Sequence, residues 1–92
     1  MADIKGSFDE RFAAVADVLS ANLDRGADVG ASACVVYAGE TVVDIWGGTI
    51  DDQGTPWGED TIINVWSTTK TMTALTALLL ADRGELDFHT PV

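Results

Sequence analysis

Apolar residues recur at two different spacings in the first half of the chain. Between residues 8 and 24 they follow a period of three to four, with charged residues between them: Phe8, Phe12, Val15, Ala16, Leu19 and Leu23. This spacing predicts an amphipathic helix over residues 8–24, with Ser7 as its cap and Gly26 as its end.

After Gly30 the pattern becomes typical of β-structure. The runs from Ala31 to Ala38 and from Thr41 to Trp46 are separated by Gly39-Glu40, which predicts an antiparallel hairpin. Residues 47–60 are rich in Gly, Asp, Pro and Thr and predict a loop that contains Trp57. The Trp57 indole either closes the edge of a core or lines a substrate pocket, and we favour the first interpretation.

The last part of the chain predicts a short extended segment from Thr61 to Trp66 and then a helix over residues 68–83. That helix is apolar almost all round, so one helix and one hairpin cannot cover all of its faces. The fold class predicted is α+β. We further expect residues 1–92 to be the N-terminal segment of a single larger domain, because the chain stops at Thr90-Pro91-Val92 while this helix still needs cover.

Ser67 and Lys70 stand three residues apart where the extended segment meets this helix. On a helix, that spacing places both side chains on one face, where the lysine amine can reach the serine hydroxyl and act as its base. A helix N-terminus also favours an oxyanion that forms on a substrate carbonyl. The alternative is that Ser67 only caps the helix. The motif alone favours the cap, whereas its setting favours acyl transfer.

Composition and charge narrow the function further. Fifteen acidic against five basic residues give a net charge of −10, which argues against nucleic acid and anionic membranes as partners. The chain shows neither the apolar run of a signal peptide nor that of a membrane span, so we expect a cytoplasmic protein. We place Cys34 in the core, predict no metal site and no cofactor, and give His89 and the Asp51-Asp52 pair no catalytic or cation-binding role.

The order of these motifs resembles a known family. It comprises the helix, the hairpin, Trp46-Gly47-Gly48, Asp60-Thr61, Ser67-Thr68-Thr69-Lys70, the run from Ala81 to Asp87, and Thr90-Pro91-Val92. This series looks like the start of a serine hydrolase of the beta-lactamase-related superfamily, with a beta-lactamase/DD-peptidase-like fold. Within it, the chain is most similar to the class C beta-lactamase-like esterases called family VIII carboxylesterases.

The resemblance implies that Ser67 is the acylated nucleophile and Lys70 its partner. Such enzymes also use a tyrosine from a later motif and an oxyanion donor from a strand near the C-terminus, and neither motif lies in residues 1–92. Tyr37 stands in the first hairpin strand, so we do not assign it the tyrosine's role. The family fold also pairs its first two strands with strands from the C-terminal part. We therefore expect the isolated chain to be inactive until that remainder, as one chain or a separate one, completes it.

The leading hypothesis is a serine carboxylesterase that acts on small ester substrates. A beta-lactamase and a D-alanyl-D-alanine peptidase share its first steps but normally meet their substrates outside the cytoplasm. Two alternatives from other classes are a non-catalytic binding module of this fold and an inactive fragment.

Overall fold

A computed structural model describes residues 2–92 of the chain. In order, the elements are β1 (Ile4–Phe8), a 3-10 turn (Glu10–Phe12), α1 (Ala13–Asp24), β2 (Gly30–Tyr37), β3 (Glu40–Gly48), a second 3-10 turn (Trp66–Thr68) and α2 (Thr69–Asp82). The α+β class is therefore confirmed. The chain divides into two compact units, a sheet unit that ends at Thr61 and a helical unit from Ile62 to Val92.

The sheet unit contains three antiparallel strands in the order β1-β3-β2, with β3 at the centre. The predicted hairpin is present as β2 and β3, but its turn is Ala38-Gly39 rather than Gly39-Glu40. Both turn residues have positive φ, 51° for Ala38 and 80° for Gly39. Such angles are those of the two-residue turns whose twist matches that of paired strands.

The core lies between α1 and one face of this sheet. Its buried residues are Ala16, Leu19, Val42, Val43 and Ile45, and partly buried apolar side chains surround them at Ile4, Phe12, Val15, Leu23, Ala31, Ala33 and Val35. Every α1 residue of this set was predicted to face inward from the helical period. The amphipathic helix is therefore confirmed as the layer that covers the sheet.

The beginning of the predicted helix is wrong. Ser7 and Phe8 belong to β1, which pairs with β3 through Ser7 opposite Asp44 and Phe8 opposite Val43. Asp9 caps the 3-10 turn instead, because its Oδ1 accepts a hydrogen bond of 2.9 Å from the Arg11 backbone N–H. The Arg11 guanidinium also bonds this carboxylate, and these contacts hold the pKa of Asp9 below its usual value.

Gly6 explains how so short a strand fits against β3. Its φ is +95°, and a Cβ there would lie 2.1 Å from the Asp44 carbonyl oxygen and 2.8 Å from the Trp46 ring. A residue with a side chain would meet both a disfavoured backbone conformation and a backbone clash. The glycine therefore permits the close pairing of β1.

The expected core position of Cys34 is also wrong, because its side chain is exposed. Cys34 pairs with the exposed Asp44, whereas its neighbours Ala33 and Val35 pair with the buried Ile45 and Val43. Successive strand residues point to opposite faces of a sheet. Cys34 therefore lies on the face of β2 that is opposite α1.

The loop after β3 is held by Asp51 and closed by Trp57. The Asp51 carboxylate accepts bonds from the Gln53 N–H at 3.0 Å, the Thr55 N–H at 3.0 Å and the Thr55 hydroxyl at 2.6 Å. The bonds from Thr55 are the main reason why the pKa of Asp51 lies below its ordinary value. Because these bonds occupy both oxygens of its carboxylate, Asp51 has a structural role in the loop.

Trp57 is 8% exposed, and its backbone N–H donates to the Gly48 carbonyl at 2.9 Å. Its ring lies so close to Gly30 that a Cβ there would come within 2.6 Å of it. The interpretation of Trp57 as the edge of a core is therefore confirmed.

A substitution series at Trp57 tests which part of the side chain stabilises this unit. The buried indole Nε1 has no hydrogen-bond partner. Trp57→Phe removes that unsatisfied donor, so we expect it to change the free energy of unfolding by less than about 1 kcal/mol. Trp57→Ala empties the site and should cost about 3–5 kcal/mol. Urea unfolding followed by circular dichroism measures both values. A loss of several kcal/mol in Trp57→Phe would contradict this expectation and show that the indole contributes what a benzene ring cannot replace.

The helical unit contains the second 3-10 turn and α2. No residue of α2 is buried, and four of its large apolar residues are about half exposed: Met72 63%, Leu75 53%, Leu78 55% and Leu79 48%. The predicted helix over residues 68–83 is present within one residue at each end. Residues 61–65 belong to no strand.

Candidate active site

The candidate active site lies in the helical unit, at the start of α2. The Trp66–Thr68 turn precedes α2 directly, so Ser67 occupies a 3-10 turn and Lys70 the first turn of the α-helix. The Thr68 N–H donates to the Val65 carbonyl at 3.0 Å and closes the turn. The two side chains therefore stand on consecutive helical segments rather than on one continuous α-helix.

This arrangement brings the Ser67 hydroxyl and the Lys70 amine together. Lys70 Nζ donates a hydrogen bond of 3.3 Å to Ser67 Oγ, and both residues are exposed. The sequence predicted this contact from the spacing alone. Neither the 3-10 turn nor α2 has a side-chain cap, so the Ser67 hydroxyl does not act as an N-cap.

The charges around the pair are sparse. No acidic residue lies in the first turn of α2. The backbone N–H groups of a first helical turn lack carbonyl partners within the helix and carry partial positive charge. Such a site favours negative charge that develops on a bound carbonyl oxygen, and Lys70 stands beside the hydroxyl that would attack that carbonyl.

Asn64 is a part of this site that the sequence analysis missed. Its Oδ1 accepts a hydrogen bond of 2.9 Å from the Trp66 backbone N–H, directly before Ser67. An asparagine two residues before a helical turn is a known turn-forming signal and could have identified it.

The other candidates from the sequence lie elsewhere. The Tyr37 ring packs against Phe12 in the sheet unit, with centroids 6.1 Å apart. The His89 backbone N–H donates to Asp87 Oδ1 at 2.9 Å in the turn after α2. Across residues 2–92, no group of three or more His, Cys, Asp or Glu residues is arranged to hold a metal ion.

Comparison with known proteins places this serine–lysine pair in a family. The model of the beta-lactamase family matches residues 15–92, which include both elements of the site. The chain belongs to the beta-lactamase family. The resemblance to that superfamily that the order of motifs indicated is thereby confirmed.

Two relatives refine this assignment. The chain is 43% identical over 89 residues to the esterase/beta-lactamase LipL of Mycobacterium tuberculosis, an alignment that covers 95% of this chain and 20% of LipL. It is similar to the crystal structure of a family VIII carboxylesterase, with 43% identity and a TM-score of 0.90 over 96% of this chain and 24% of the solved one. The beta-lactamase-family chain thus spans about a fifth to a quarter of the length of these relatives and corresponds to the N-terminal part of LipL.

Among the described residues, no helix combines the length and the apolar character that a membrane crossing requires. The cytoplasmic location stays a prediction.

Proposed function

We propose that this beta-lactamase-family chain is the nucleophile-bearing part of a serine carboxylesterase. The observation that carries the proposal is the 3.3 Å hydrogen bond from Lys70 Nζ to Ser67 Oγ at the start of α2. A serine hydroxyl is a weak nucleophile until a neighbouring base takes its proton. Lysine can act as that base in its neutral form.

The reaction would proceed through an acyl-enzyme. Ser67 Oγ attacks the ester carbonyl carbon as its proton passes to the neutral Lys70 amine, and the carbonyl oxygen becomes an oxyanion beside the α2 N-terminus. Collapse of this tetrahedral intermediate breaks the bond to the alcohol, which leaves with a proton. Water then attacks the acyl group on Ser67, releasing the carboxylic acid and regenerating the hydroxyl. Proton transfer and oxyanion stabilisation supply most of the acceleration in such reactions.

A second part of the proposal is that residues 1–92 act together with the remainder of the same fold. Most of the large apolar side chains of α2 are exposed, and a helix of this composition is stable when other elements cover it. The relatives that it matches are four to five times longer, as their coverage of 24% and 20% indicates. We therefore place residues 1–92 in a single beta-lactamase-like domain whose remainder covers α2, on the same or a separate chain. The isolated segment is inactive.

The relatives and the net charge support small esters as the proposed substrate class. One relative is a carboxylesterase and the other carries esterase in its name. A net charge of −10 disfavours polyanionic partners, so small esters fit better than nucleic acids or anionic membranes. No cofactor enters the proposed steps.

Beta-lactam hydrolysis is a second candidate activity. The name of the LipL relative includes beta-lactamase as well as esterase. The amide carbonyl of a beta-lactam would acylate Ser67 by the same attack and proton transfer. Comparing the turnover of a short-chain ester with that of a beta-lactam distinguishes the two activities.

Covalent labelling tests the proposal. A fluorophosphonate, which forms a stable adduct with activated serines, is added to the complete hydrolase and, separately, to residues 1–92 alone. Intact mass and peptide mapping should find one adduct on Ser67 in the complete protein and much slower labelling in the isolated segment. If Ser67 stays unlabelled in the complete protein, the chain belongs to a non-catalytic module of this fold. Equal labelling in both would refute the need for a remainder.

A further inference from the structure

The residue before the candidate nucleophile has an unfavourable backbone conformation. Trp66 has a φ of 50°, and its side chain is 80% exposed. A positive φ is uncommon for any residue with a side chain, and for a bulky one it is a genuine outlier. Such conformations are strained and persist where the surrounding structure holds them in place. Because so little of the Trp66 ring is covered within residues 2–92, packing inside this segment does not explain how φ is held.

The Asn64 side chain provides the local restraint. Its Oδ1 accepts the Trp66 backbone N–H at 2.9 Å, which forms a side-chain turn across Asn64, Val65 and Trp66. A second turn begins one residue later, because the Thr68 N–H donates to the Val65 carbonyl at 3.0 Å. Trp66 belongs to both turns. The two overlapping turns therefore fix the backbone on each side of its strained φ.

Trp66 and Ser67 are the two central residues of the turn that the Thr68 N–H closes on the Val65 carbonyl. The turn therefore restrains the Ser67 backbone dihedrals, which set the direction of the Ser67 side chain relative to α2. Lys70 belongs to α2, and the Lys70 Nζ to Ser67 Oγ distance of 3.3 Å depends on that direction. We infer that Asn64 is a positioning residue, whose side-chain bond to the Trp66 N–H holds Ser67 Oγ within reach of Lys70. The inference rests on the proposed function, since it concerns the rate at which Ser67 is acylated.

The test compares variants of the complete hydrolase by the second-order rate constant of fluorophosphonate labelling at Ser67. Asn64→Ala removes the acceptor, and a misplacement of about 1 Å at a reacting group costs up to about a hundredfold in rate. We expect a loss of about tenfold to a hundredfold. Asn64→Asp keeps an acceptor oxygen at the same place and should stay within about threefold of the parent. Equal melting temperatures show that each variant has kept the fold.

A double substitution separates positioning from a general structural role. Glycine adopts positive φ without the steric cost that tryptophan meets. In a protein that carries Trp66→Gly, the positive φ at position 66 has no steric cost, so the bond from the Asn64 side chain is less important for holding it. Asn64→Ala should then slow labelling less than about threefold. A tenfold loss that is the same with and without W66G would overturn the inference, as would a full-rate N64A variant.

The design also distinguishes failure of the inference from failure of the proposed function. If the parent protein labels on Ser67 while N64A labels equally fast, Ser67 is an activated nucleophile and Asn64 does not position it. If the parent itself does not label, the proposed function fails and the positioning role fails with it.

Discussion

The Ser67→Ala variant of the complete hydrolase is expected to lose ester turnover by about 10³-fold or more. The substitution removes the oxygen that forms the acyl bond, and removal of a serine nucleophile leaves only the residual catalysis from binding and oxyanion stabilisation. Ser67 is exposed and caps neither helical segment, so its loss should leave the fold intact. The measurements are kcat and KM for a short-chain ester, together with the melting temperature.

Thr76→Ala is the matched control for this experiment. Thr76 carries a hydroxyl in the same helix six residues after Lys70, and that hydroxyl donates to the Met72 carbonyl at 2.9 Å. We expect its turnover to stay within about threefold of the parent. If S67A retained turnover while binding ligand normally, the reaction would not pass through Ser67. If both variants lost activity equally, the loss would come from a disturbed α2 rather than from a missing nucleophile.

Elements with strong internal periodicity were predictable from the sequence. The inward residues of α1 recur at helical spacing, and two β-rich runs around a glycine turn define the hairpin. In both cases the pattern arises because one face of the element is buried in the core that its own neighbours form. The short-range signal and the tertiary contact therefore agree, and the elements lie where they were expected.

Strand β1 was not predictable, because its own residues carry no periodic pattern. Ile4–Phe8 contains a lysine, a glycine and a serine, and none of these residues favours a strand by itself. Its conformation depends on pairing with β3. Gly6 permits that pairing, because it has no side chain to clash with the Asp44 backbone. Such pairing joins residues some 40 positions apart in the sequence. A local pattern carries no information about it, so Phe8 was assigned to the helix whose spacing it matched.

The face of β2 that holds Cys34 was ambiguous in sequence. Residues 33–36 are Ala-Cys-Val-Val, which is apolar on both faces, so alternation could not decide which side faces α1. In the structure Ala33 and Val35 pack on the core, and Cys34 faces away from it. The choice is made by the register with β3, where Ile45 and Val43 are the buried partners.

The candidate site likewise combines one feature that the sequence predicts with one that it does not. The Ser67–Lys70 contact could be predicted, because a spacing of three residues nearly always brings helical side chains together. The turn that precedes it could not, because the positive φ of Trp66 contradicts the preference of tryptophan. Conflicts between local preference and structure tend to occur at functional sites. That tendency connects the strained residue with the function proposed for its neighbour.

Substitution of Lys70 should produce the second large effect, and the replacement by arginine is the informative one. Lys70→Met removes the proton acceptor for Ser67, and loss of a positioned general base typically lowers kcat by about 10²–10⁴-fold. Lys70→Arg restores a cation that could still bond Ser67 Oγ, yet a guanidinium does not give up its proton in proteins. If the role is proton transfer, the two variants should lose kcat equally. Steady-state kinetics of the complete hydrolase with a short-chain ester measures both.

The other lysine of the chain provides the control, because Lys5→Met makes the same change of side chain away from the site. Lys5 lies in β1, and its Nζ pairs with Asp3 Oδ2 at 3.6 Å in an exposed ion pair. Exposed pairs contribute little to stability, so K5M should keep kcat within about twofold of the parent. Substantial activity in K70R alone would mean that positive charge beside Ser67 suffices and that another group accepts the proton. Loss in K70M and K70R with an unchanged K5M would instead assign the proton transfer to Lys70.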